Sequence, residues 1–186
     1  MKPIQLAAAL TLFIAFICGC GRGANSDNGA LANISEADVM ALLKPLGVMS
    51  KNSDGGQVIT LSLGNTPFND AAMVHLQYLI NLQELNLADT KISGAGTKYL
   101  VRLKELNNLS FARTQVGDES CKNISELSKL TQLDMQTTRL TDVGLKQLHD
   151  LKNIRQLYLQ NTKVSDEGVE KFQRANPNCI IHYVSN

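Results

Sequence analysis

Residues 153–169 read NIRQLYLQNTKVSDEGV, and this stretch is one copy of a unit that repeats along the chain. The alternation in Leu157-Tyr158-Leu159 predicts a short strand with both leucines pointing inward. The motif Leu-x-Leu-x-x-Thr recurs every 24 residues without an insertion or deletion, at Leu61/Leu63/Thr66, Leu85/Leu87/Thr90, Leu109/Phe111/Thr114, Leu133/Met135/Thr138 and Leu157/Leu159/Thr162, and one further step reaches Ile181/Tyr183. Such strict phase indicates units stacked on like neighbours, which is the signature of a solenoid.

The second half of each unit predicts a short helix. In the copy quoted above, Thr162 turns the chain and Ser165-Asp166 stands where a helix N-cap belongs, followed by Val169 and Phe172 at helical spacing. A strand on one side and a helix on the other make a stack of such units curve. We therefore expect about six parallel strands on the concave face and short helices on the convex face.

The pattern Leu-x-x-Leu-x-Leu-x-x-Thr, followed by an apolar residue, a Ser/Thr-Asp pair and a glycine, resembles the leucine-rich repeat. The resemblance covers residues 57–186 and is to the 24-residue form with Thr in the ladder position, found in exported bacterial proteins and especially in planctomycetes. It implies an α/β leucine-rich repeat solenoid, and it is uninformative about function because the motif is scaffold. Local departures at Gly94, Thr97, Gly117 and Cys121 predict looser second and third convex helices.

Residues 1–20 have the composition of a targeting segment. Lys2 precedes an apolar run over residues 4–17, which is shorter than the ~20 residues of a membrane-spanning helix and is typical of a signal peptide. The run ends in Ile17-Cys18-Gly19-Cys20, which resembles a bacterial lipobox and implies lipidation of Cys20. Gly21 instead of Asp weakly favours the outer membrane. An uncleaved membrane anchor is the alternative, and in either case the body is expected to be exported and held at a membrane.

Two segments separate this anchor from the repeats. Residues 21–33 are small, polar and aperiodic, which predicts a flexible tether with a reach of ~20 Å. Residues 34–56 predict an N-terminal cap: Ser35 is a candidate N-cap with Asp38 three residues on, and Pro45 and Gly47 end the helix. A short strand at residues 48–49 and a turn at 54–56 follow. The cap covers the apolar side of the first repeat.

Composition excludes several classes of function. The 186-residue chain has a formal net charge of +1, which argues against electrostatic binding of nucleic acid. Aromatic residues make up 5% of the chain and Trp is absent, so stacking platforms for bases are not expected. We expect no cofactor and no metal site, because the body carries no cluster of His and Cys at ligand spacing.

The five repeated threonines call for a structural explanation. Thr66, Thr90, Thr114, Thr138 and Thr162 recur where the chain leaves each strand. We expect their hydroxyls to form a ladder that bonds adjacent turns across layers. A catalytic Thr would need a base beside it, and the repeat fixes none there.

The concave face is the place to look for a binding site, because its side chains are not needed for packing. Its candidate residues are neutral or hydrogen-bonding for the most part: Glu84, Asn86, Asn108, Asp134, Tyr158, Gln160 and His182. Asp134, Tyr158 and His182 occupy consecutive strands of one column, ~4.8 Å apart, so Tyr158 can contact both neighbours. The alternative is simple cross-strand packing. Asp134 and His182 are two strands apart, which is too far for a shared metal or a catalytic pair.

Cys121 and Cys179 are the cysteines of the folded body, and three layers separate them. That is ~14 Å, whereas a disulfide needs Cα atoms within ~7 Å, so we expect no bridge.

These observations favour a membrane-anchored, non-catalytic, monomeric module of the cell envelope that binds an unidentified protein, or less readily a glycan. The alternative is a structural envelope lipoprotein without a dedicated ligand. An enzyme is not expected, because no base, nucleophile and ligand set converges.

Overall fold

The computed structural model describes residues 34–184. The predicted signal peptide at 1–20, Cys20 and the tether at 21–33 lie outside the described residues. The elements in chain order are α1 (Glu36–Leu43), a 3₁₀-turn (Lys44–Leu46), β1 (Met49–Asn52), β2 (Val58–Ser62), a 3₁₀-helix (Ala72–Tyr78), β3 (Glu84–Asn86), a second 3₁₀-helix (Thr97–Arg102), β4 (Asn108–Ser110), α2 (Asp118–Ile124), β5 (Gln132–Asp134), α3 (Asp142–Gln147) with a 3₁₀-turn (Leu148–Asp150), β6 (Gln156–Tyr158), α4 (Asp166–Ala175) and β7 (Ile180–His182).

The strands form one sheet in the order β1-β2-β3-β4-β5-β6-β7. From β2 to β7 every pair is parallel, and each residue lies opposite the residue 24 positions later, as in Leu85↔Leu109 and Leu109↔Leu133. We call one strand with the helix that follows it a rung. The predicted α/β solenoid is confirmed, with its parallel sheet on one side and short helices on the other.

The inward side chains of successive rungs form one continuous core. The first Leu of each strand and the large apolar residue two positions later are at most 2% exposed: Leu61, Leu63, Leu85, Leu87, Leu109, Phe111, Leu133, Met135, Leu157 and Leu159. Each rung buries its apolar side chains against the rungs before and after it, so the burial of one rung depends on its neighbours.

The N-terminal cap begins as predicted but contains an additional strand. Ser35 caps α1 through a capping box with Asp38, and Val39 and Leu43 are buried beneath it. The strand expected at residues 48–49 is longer: β1 spans Met49–Asn52 and pairs antiparallel with β2 as a hairpin. All its side chains are exposed, so it lacked the alternation that reveals a strand in a sequence.

The threonine hydroxyls bond within their own rung, and the prediction that they link adjacent turns is wrong. Each hydroxyl donates to the carbonyl three residues before it, at 2.5–2.7 Å. The turn after each strand exposes that carbonyl, and a side chain on the same turn reaches it at less entropic cost than one on the next rung. The five residues are Thr66, Thr90, Thr114, Thr138 and Thr162.

The bonds between rungs on the convex side come from aspartates at the helix starts. Asp118 accepts from the backbone N–H and the hydroxyl of Thr141, at 2.8 and 2.6 Å. One rung later Asp142 accepts from the same two groups of Ser165, at 2.8 and 2.6 Å. Each carboxylate thus holds the N-cap residue of the next helix, because charge-assisted hydrogen bonds to a helix start are favourable.

The convex helices follow the sequence only in part. The second one is a 3₁₀-helix (Thr97–Arg102), but so is the first (Ala72–Tyr78), which keeps its aspartate, so the departure at Gly94 does not account for it. The third, α2, is an ordinary α-helix, so the expectation of a looser third helix is wrong. Cys121 is fully buried there and fills the apolar position. A small apolar side chain is enough to keep the helix against the core.

One residue in every rung has a left-handed backbone. These residues directly precede the threonines and have φ between 53° and 60°: Asn65, Asp89, Arg113, Thr137 and Asn161. Asn and Asp tolerate this region, whereas a β-branched residue is strained in it. Thr137 is therefore the residue least suited to the left-handed conformation among these five.

We expect Thr137→Asn to raise the free energy of unfolding by about 0.5–1 kcal/mol, because it relieves this strain without changing the core. Urea denaturation measures the change. The reciprocal variant Asn161→Thr is the matched control and should lose a similar amount. A Thr137→Asn variant no more stable than the parent would refute the strain.

Cys121 and Cys179 are both free thiols and both buried. Burial away from water raises the pKa of Cys121 from 9.0 to about 12. Since the folded pKa lies above the unfolded one, the thiol's contribution to stability is complete below pH 9 and is lost as pH rises toward about 12. We expect Cys121→Ala to flatten the decline of the urea midpoint over that range. An unchanged decline would show that Cys121 does not titrate in this way.

Candidate functional site

The concave face presents two columns of side chains set by the register of the sheet. One column contains Glu84 and Asn108, and the other contains Asn86, Ser110, Asp134, Tyr158 and His182, each opposite its neighbour on the next strand. Gln160 lies two residues beyond Tyr158, just past the end of β6. The structure thus brings Asp134, Tyr158 and His182 together on adjacent strands and leaves Glu84 and Asn86 at the other end of the face.

The N-terminal half of this face is occupied by its own hydrogen bonds. The Asn86 side chain donates to the Ser62 hydroxyl at 3.3 Å and accepts from the Ala88 backbone N–H at 2.9 Å. Glu84 accepts from the Thr60 hydroxyl at 3.4 Å. Asn86 therefore serves mainly to end its strand, a role that its position in the repeat did not reveal.

The middle of the face carries charge that is already paired. Asp134 accepts from the Ser110 hydroxyl at 3.2 Å and from the Gln136 backbone N–H at 3.0 Å. Beside it, Arg113 and Asp89 form a bidentate pair at 2.7 and 2.6 Å. The hydrogen bond from Arg113 holds the pKa of Asp89 below its usual value. This pair was not predicted from the sequence, because both residues lie in turns outside the columns of the concave face.

The C-terminal end of the face has a different character. The rings of Tyr158 and His182 stack with centroids 4.2 Å apart and planes 6° from parallel. The Tyr158 hydroxyl bonds to Gln156 Oε1 at 3.1 Å and not to Asp134. Gln160 Oε1 and His182 Nε2 are buried and have no hydrogen-bond partner among the described residues. Two buried polar atoms in this state, next to an aromatic stack, distinguish this end from the rest of the face.

A shallow groove of about 470 Å³ lies along the rim where the strands begin. It is lined by residues that recur at 24-residue spacing, namely Gln83, Glu105, Asn107, Lys129, Thr131, Asn153 and Arg155. Lys129 and Glu105 form an ion pair across it at 2.5 Å. The groove is polar and its charges are partnered within the protein, so we assign no ligand to it.

Within residues 34–184, no three His, Cys, Asp or Glu side chains are grouped so that they could hold a metal ion. Over the same residues no helix combines the length and apolarity needed to cross a bilayer.

Comparison with known proteins identifies the repeat. A family model described as Leucine Rich repeat matches residues 78–101 and 151–172. No curated protein sequence gives a significant match.

Among solved structures, an internalin (inlF) from Listeria monocytogenes is 21% identical over 61% of this chain and 31% of its own, with a TM-score of 0.52. The PEPR1–AtPEP1 structure is 16% identical over 74% of this chain and 19% of its own, with a TM-score of 0.53. A leucine-rich repeat protein of Leptospira interrogans is 29% identical over 58% of this chain and 27% of its own, with a TM-score of 0.49. The chain thus spans less than a third of the length of each of these proteins.

These likenesses, at low identity, concern the fold. Leucine-rich repeat domains are commonly protein-interaction modules and typically non-catalytic. The repeat matches, the register of 24 residues and the parallel sheet together show that this chain has the fold of a leucine-rich repeat solenoid.

Proposed function

We propose that this chain is an exported leucine-rich repeat module, tethered to the cell envelope through a lipid on Cys20, that binds a protein partner with the C-terminal end of its concave face. Asp134, Tyr158, Gln160 and His182 form the centre of this site. Glu84, Asn86 and Asn108 lie on the same face and contribute at its periphery.

The observation that carries the proposal is the contrast between the two ends of the face. At the N-terminal end, side chains such as Asn86 bond to one another. At the C-terminal end, the acceptor of Gln160 and Nε2 of His182 are buried without a partner. Leaving such a group unpaired costs about 1–3 kcal/mol, and a ligand recovers that cost once the side chain rotates to bring the buried atom to the surface.

A polypeptide suits this end better than a glycan. The Tyr158–His182 stack offers a flat, rigid apolar surface, as aromatic anchors of protein interfaces do. A peptide backbone brings both a donor for Gln160 Oε1 and groups that can pair with His182 Nε2. The face also lacks a basic stripe for a polyanion.

The test begins by finding the partner at this site. A photo-reactive amino acid in place of Gln156, whose side chain touches the Tyr158 hydroxyl, should cross-link a protein in envelope preparations that mass spectrometry identifies. We then expect Tyr158→Ala to weaken binding of the purified partner by about 2 kcal/mol or more, because it removes a central aromatic anchor.

Tyr99→Ala is the matched control. Tyr99 is a half-buried tyrosine on the convex 3₁₀-helix Thr97–Arg102, away from the concave sheet. It should leave the affinity unchanged. Equal affinity of both variants and the parent for the cross-linked protein would refute binding at Tyr158 and favour a structural lipoprotein without a dedicated ligand.

The tether is tested separately. We expect metabolic labelling with a fatty acid to modify the parent chain and to fail on Cys20→Ala, with the unlabelled variant leaving the membrane fraction. Cys18→Ala is the control and should retain the label. Label on Cys20→Ala would show that the chain is not anchored through this residue.

A further inference from the structure

The concave side chains of strands β2–β7 carry negative charge and no cation of their own. They include two carboxylates and neither lysine nor arginine: Thr60, Ser62, Glu84, Asn86, Asn108, Ser110, Gln132, Asp134, Gln156, Tyr158, Ile180 and His182. Arg113, in the turn after β4, is already held by Asp89 through two hydrogen bonds of 2.7 and 2.6 Å. A partner with complementary charge therefore brings a cation to this face.

Asp134 can accept more hydrogen bonds than the protein gives it. Its Oδ1 accepts from the Gln136 backbone N–H at 3.0 Å, and its Oδ2 accepts from the Ser110 hydroxyl at 3.2 Å. A carboxylate offers about four acceptor positions, so each oxygen retains capacity for a further donor. The residue is half-buried on the concave side of β5, where a partner can reach it.

The Tyr158 ring presents an aromatic face directly beside this carboxylate. His182 on β7 stacks on one face of the ring, with planes 6° from parallel, while Asp134 lies opposite Tyr158 on β5, in the other direction. The second face of the ring is therefore turned toward β5. Within residues 34–184 no other ring stacks on Tyr158, and no lysine or arginine lies over it. Because aspartate is much shorter than tyrosine, this face rises above the carboxylate.

We propose that the partner inserts an arginine at this point, with its guanidinium stacked on the second face of Tyr158 and its N–H groups donating to the Asp134 carboxylate. This inference rests on the proposed binding of a polypeptide at the C-terminal end of the face. A guanidinium is planar and carries five donors in a fixed fork, so it fits an aromatic face and a carboxylate at once. Lysine is a point charge without a plane and satisfies the carboxylate alone.

The spacing of the strands suits such a stack. Flat groups in contact lie ~3.5–4 Å apart, and neighbouring strands lie ~4.8 Å apart, so a guanidinium on Tyr158 stands above β5 and its aspartate. The nearby amides add acceptors for the remaining N–H groups, since Gln160 Oε1 has no partner among the described residues. An arginine therefore forms the third member of a stack that His182 and Tyr158 begin.

The other carboxylate of the face lacks this setting. Glu84 lies opposite Thr60 on one side and Asn108 on the other, so no aromatic ring flanks it on the adjacent strands. It carries the same charge as Asp134 and lies on the same face of the sheet. Glu84→Gln is therefore the matched control for Asp134→Asn, because each variant removes one negative charge and keeps the shape of the side chain.

A random-peptide display library, selected on the purified full-length chain in mild detergent, tests the inference without a known partner. We expect arginine to be enriched at one position of the selected peptides, on the parent and on Glu84→Gln but not on Asp134→Asn. Peptides without enriched arginine that lose binding on Tyr158→Ala would overturn the arginine and leave the proposed site standing. A selection that yields no peptides, or only peptides indifferent to Tyr158→Ala, would overturn both.

The affinity of one selected peptide then tests the contact itself. Asp134→Asn should raise the dissociation constant, measured by fluorescence anisotropy, about tenfold or more. Against the same peptide with its arginine changed to alanine, Asp134→Asn should have little further effect, because the contact is already lost. Independent effects of the two substitutions would overturn the pairing. The urea midpoint of Asp134→Asn verifies that the variant is folded.

The stacked half of the contact has its own readout. Replacing the arginine of the peptide by lysine should weaken binding to the parent, and Tyr158→Leu should abolish this preference, because the aspartate remains and the aromatic face is gone. An undiminished preference for arginine on Tyr158→Leu would show that the guanidinium does not stack on this ring.

Discussion

Leu109→Ala is expected to lower the free energy of unfolding by about 2–5 kcal/mol, because it leaves a cavity in the centre of the core. Leu109 is fully buried in β4, the middle strand of the sheet, and its neighbours Leu85 and Leu133 lie directly opposite it on both sides. The rungs support one another, so the loss is felt by the stack as a whole. Urea denaturation followed by circular dichroism measures the change.

Asn108→Ala is the control on the same strand. Asn108 belongs to the concave column, where its side chain is half-buried and packs into no core. We expect its effect to stay within about 0.5 kcal/mol. Equal denaturation midpoints for the two variants would contradict the assigned phase of the strands, because the two adjacent positions point to opposite faces of the sheet.

Gly144→Ser is the second large effect, with an expected loss of about 1–3 kcal/mol from overpacking. Helix propensity alone favours serine over glycine inside α3. A Cβ at this position, however, would lie 2.7 Å from Leu140 Cδ1 and 2.9 Å from Asp118 Cα, and closer still to the Asp118 carboxylate. The glycine is required because the aspartate of the preceding rung occupies the space.

The chain contains its own precedent for relieving this clash. In the rung where Gly94 replaces the aspartate, the residue 26 positions later is Ser120 and not glycine. Without a carboxylate in the preceding rung there is room for a side chain, and Ser120 is accommodated fully buried with its hydroxyl bonded to the Gly117 carbonyl at 2.6 Å.

Asp118→Gly combined with Gly144→Ser reproduces this precedent one rung later. Each single variant should be destabilising, Asp118→Gly because it removes both bonds to Thr141. The double variant should lose less than the sum of the two, with a coupling energy on the order of 1 kcal/mol. Strictly additive losses would show that the aspartate and the glycine do not compete for the same space.

The repeat alone was enough to predict the sheet. Leucines such as Leu85, Leu109 and Leu133 recur at a fixed interval, and a fixed interval means a fixed register between parallel strands. The same reasoning predicts that Tyr158 lies beside His182, as the register shows. A single period predicts which residues are neighbours on adjacent rungs because every rung is built alike.

What the repeat could not predict is how side chains use those positions. The hydroxyl of Thr114 could bond within its own turn or to the turn of the next rung. The geometry of the turn selects the bond within the turn, to the Phe111 carbonyl. The coupling of Asp118 to Gly144 depends on how closely the Asp118 side chain approaches the backbone of Gly144 on the next rung. The β1 hairpin lies outside the repeat and has no buried face, so its residues, such as Met49, carry no pattern that marks a strand.

The candidate site shows the same division. The period predicts which residues form the columns of the concave face. It does not predict which of their side chains are already hydrogen-bonded within the protein. The sequence predicts that the Asn86 side chain is free to bind a partner, but it is hydrogen-bonded within the protein. The unpaired, buried Oε1 of Gln160 can be recognised only from the residues that surround it in the structure. The sequence therefore predicts a binding face in general, and our proposal of its C-terminal end rests on the surroundings of Gln160 and His182.

A pair of engineered cysteines tests the register on which all of this depends. Ser110 and Asp134 lie directly opposite on β4 and β5, so Ser110→Cys with Asp134→Cys should close a disulfide on mild oxidation. Ser110→Cys with Gln132→Cys joins a diagonal pair ~7–8 Å apart and should stay open. Closure of the second pair and not the first would contradict the stacking of rungs at 24 residues.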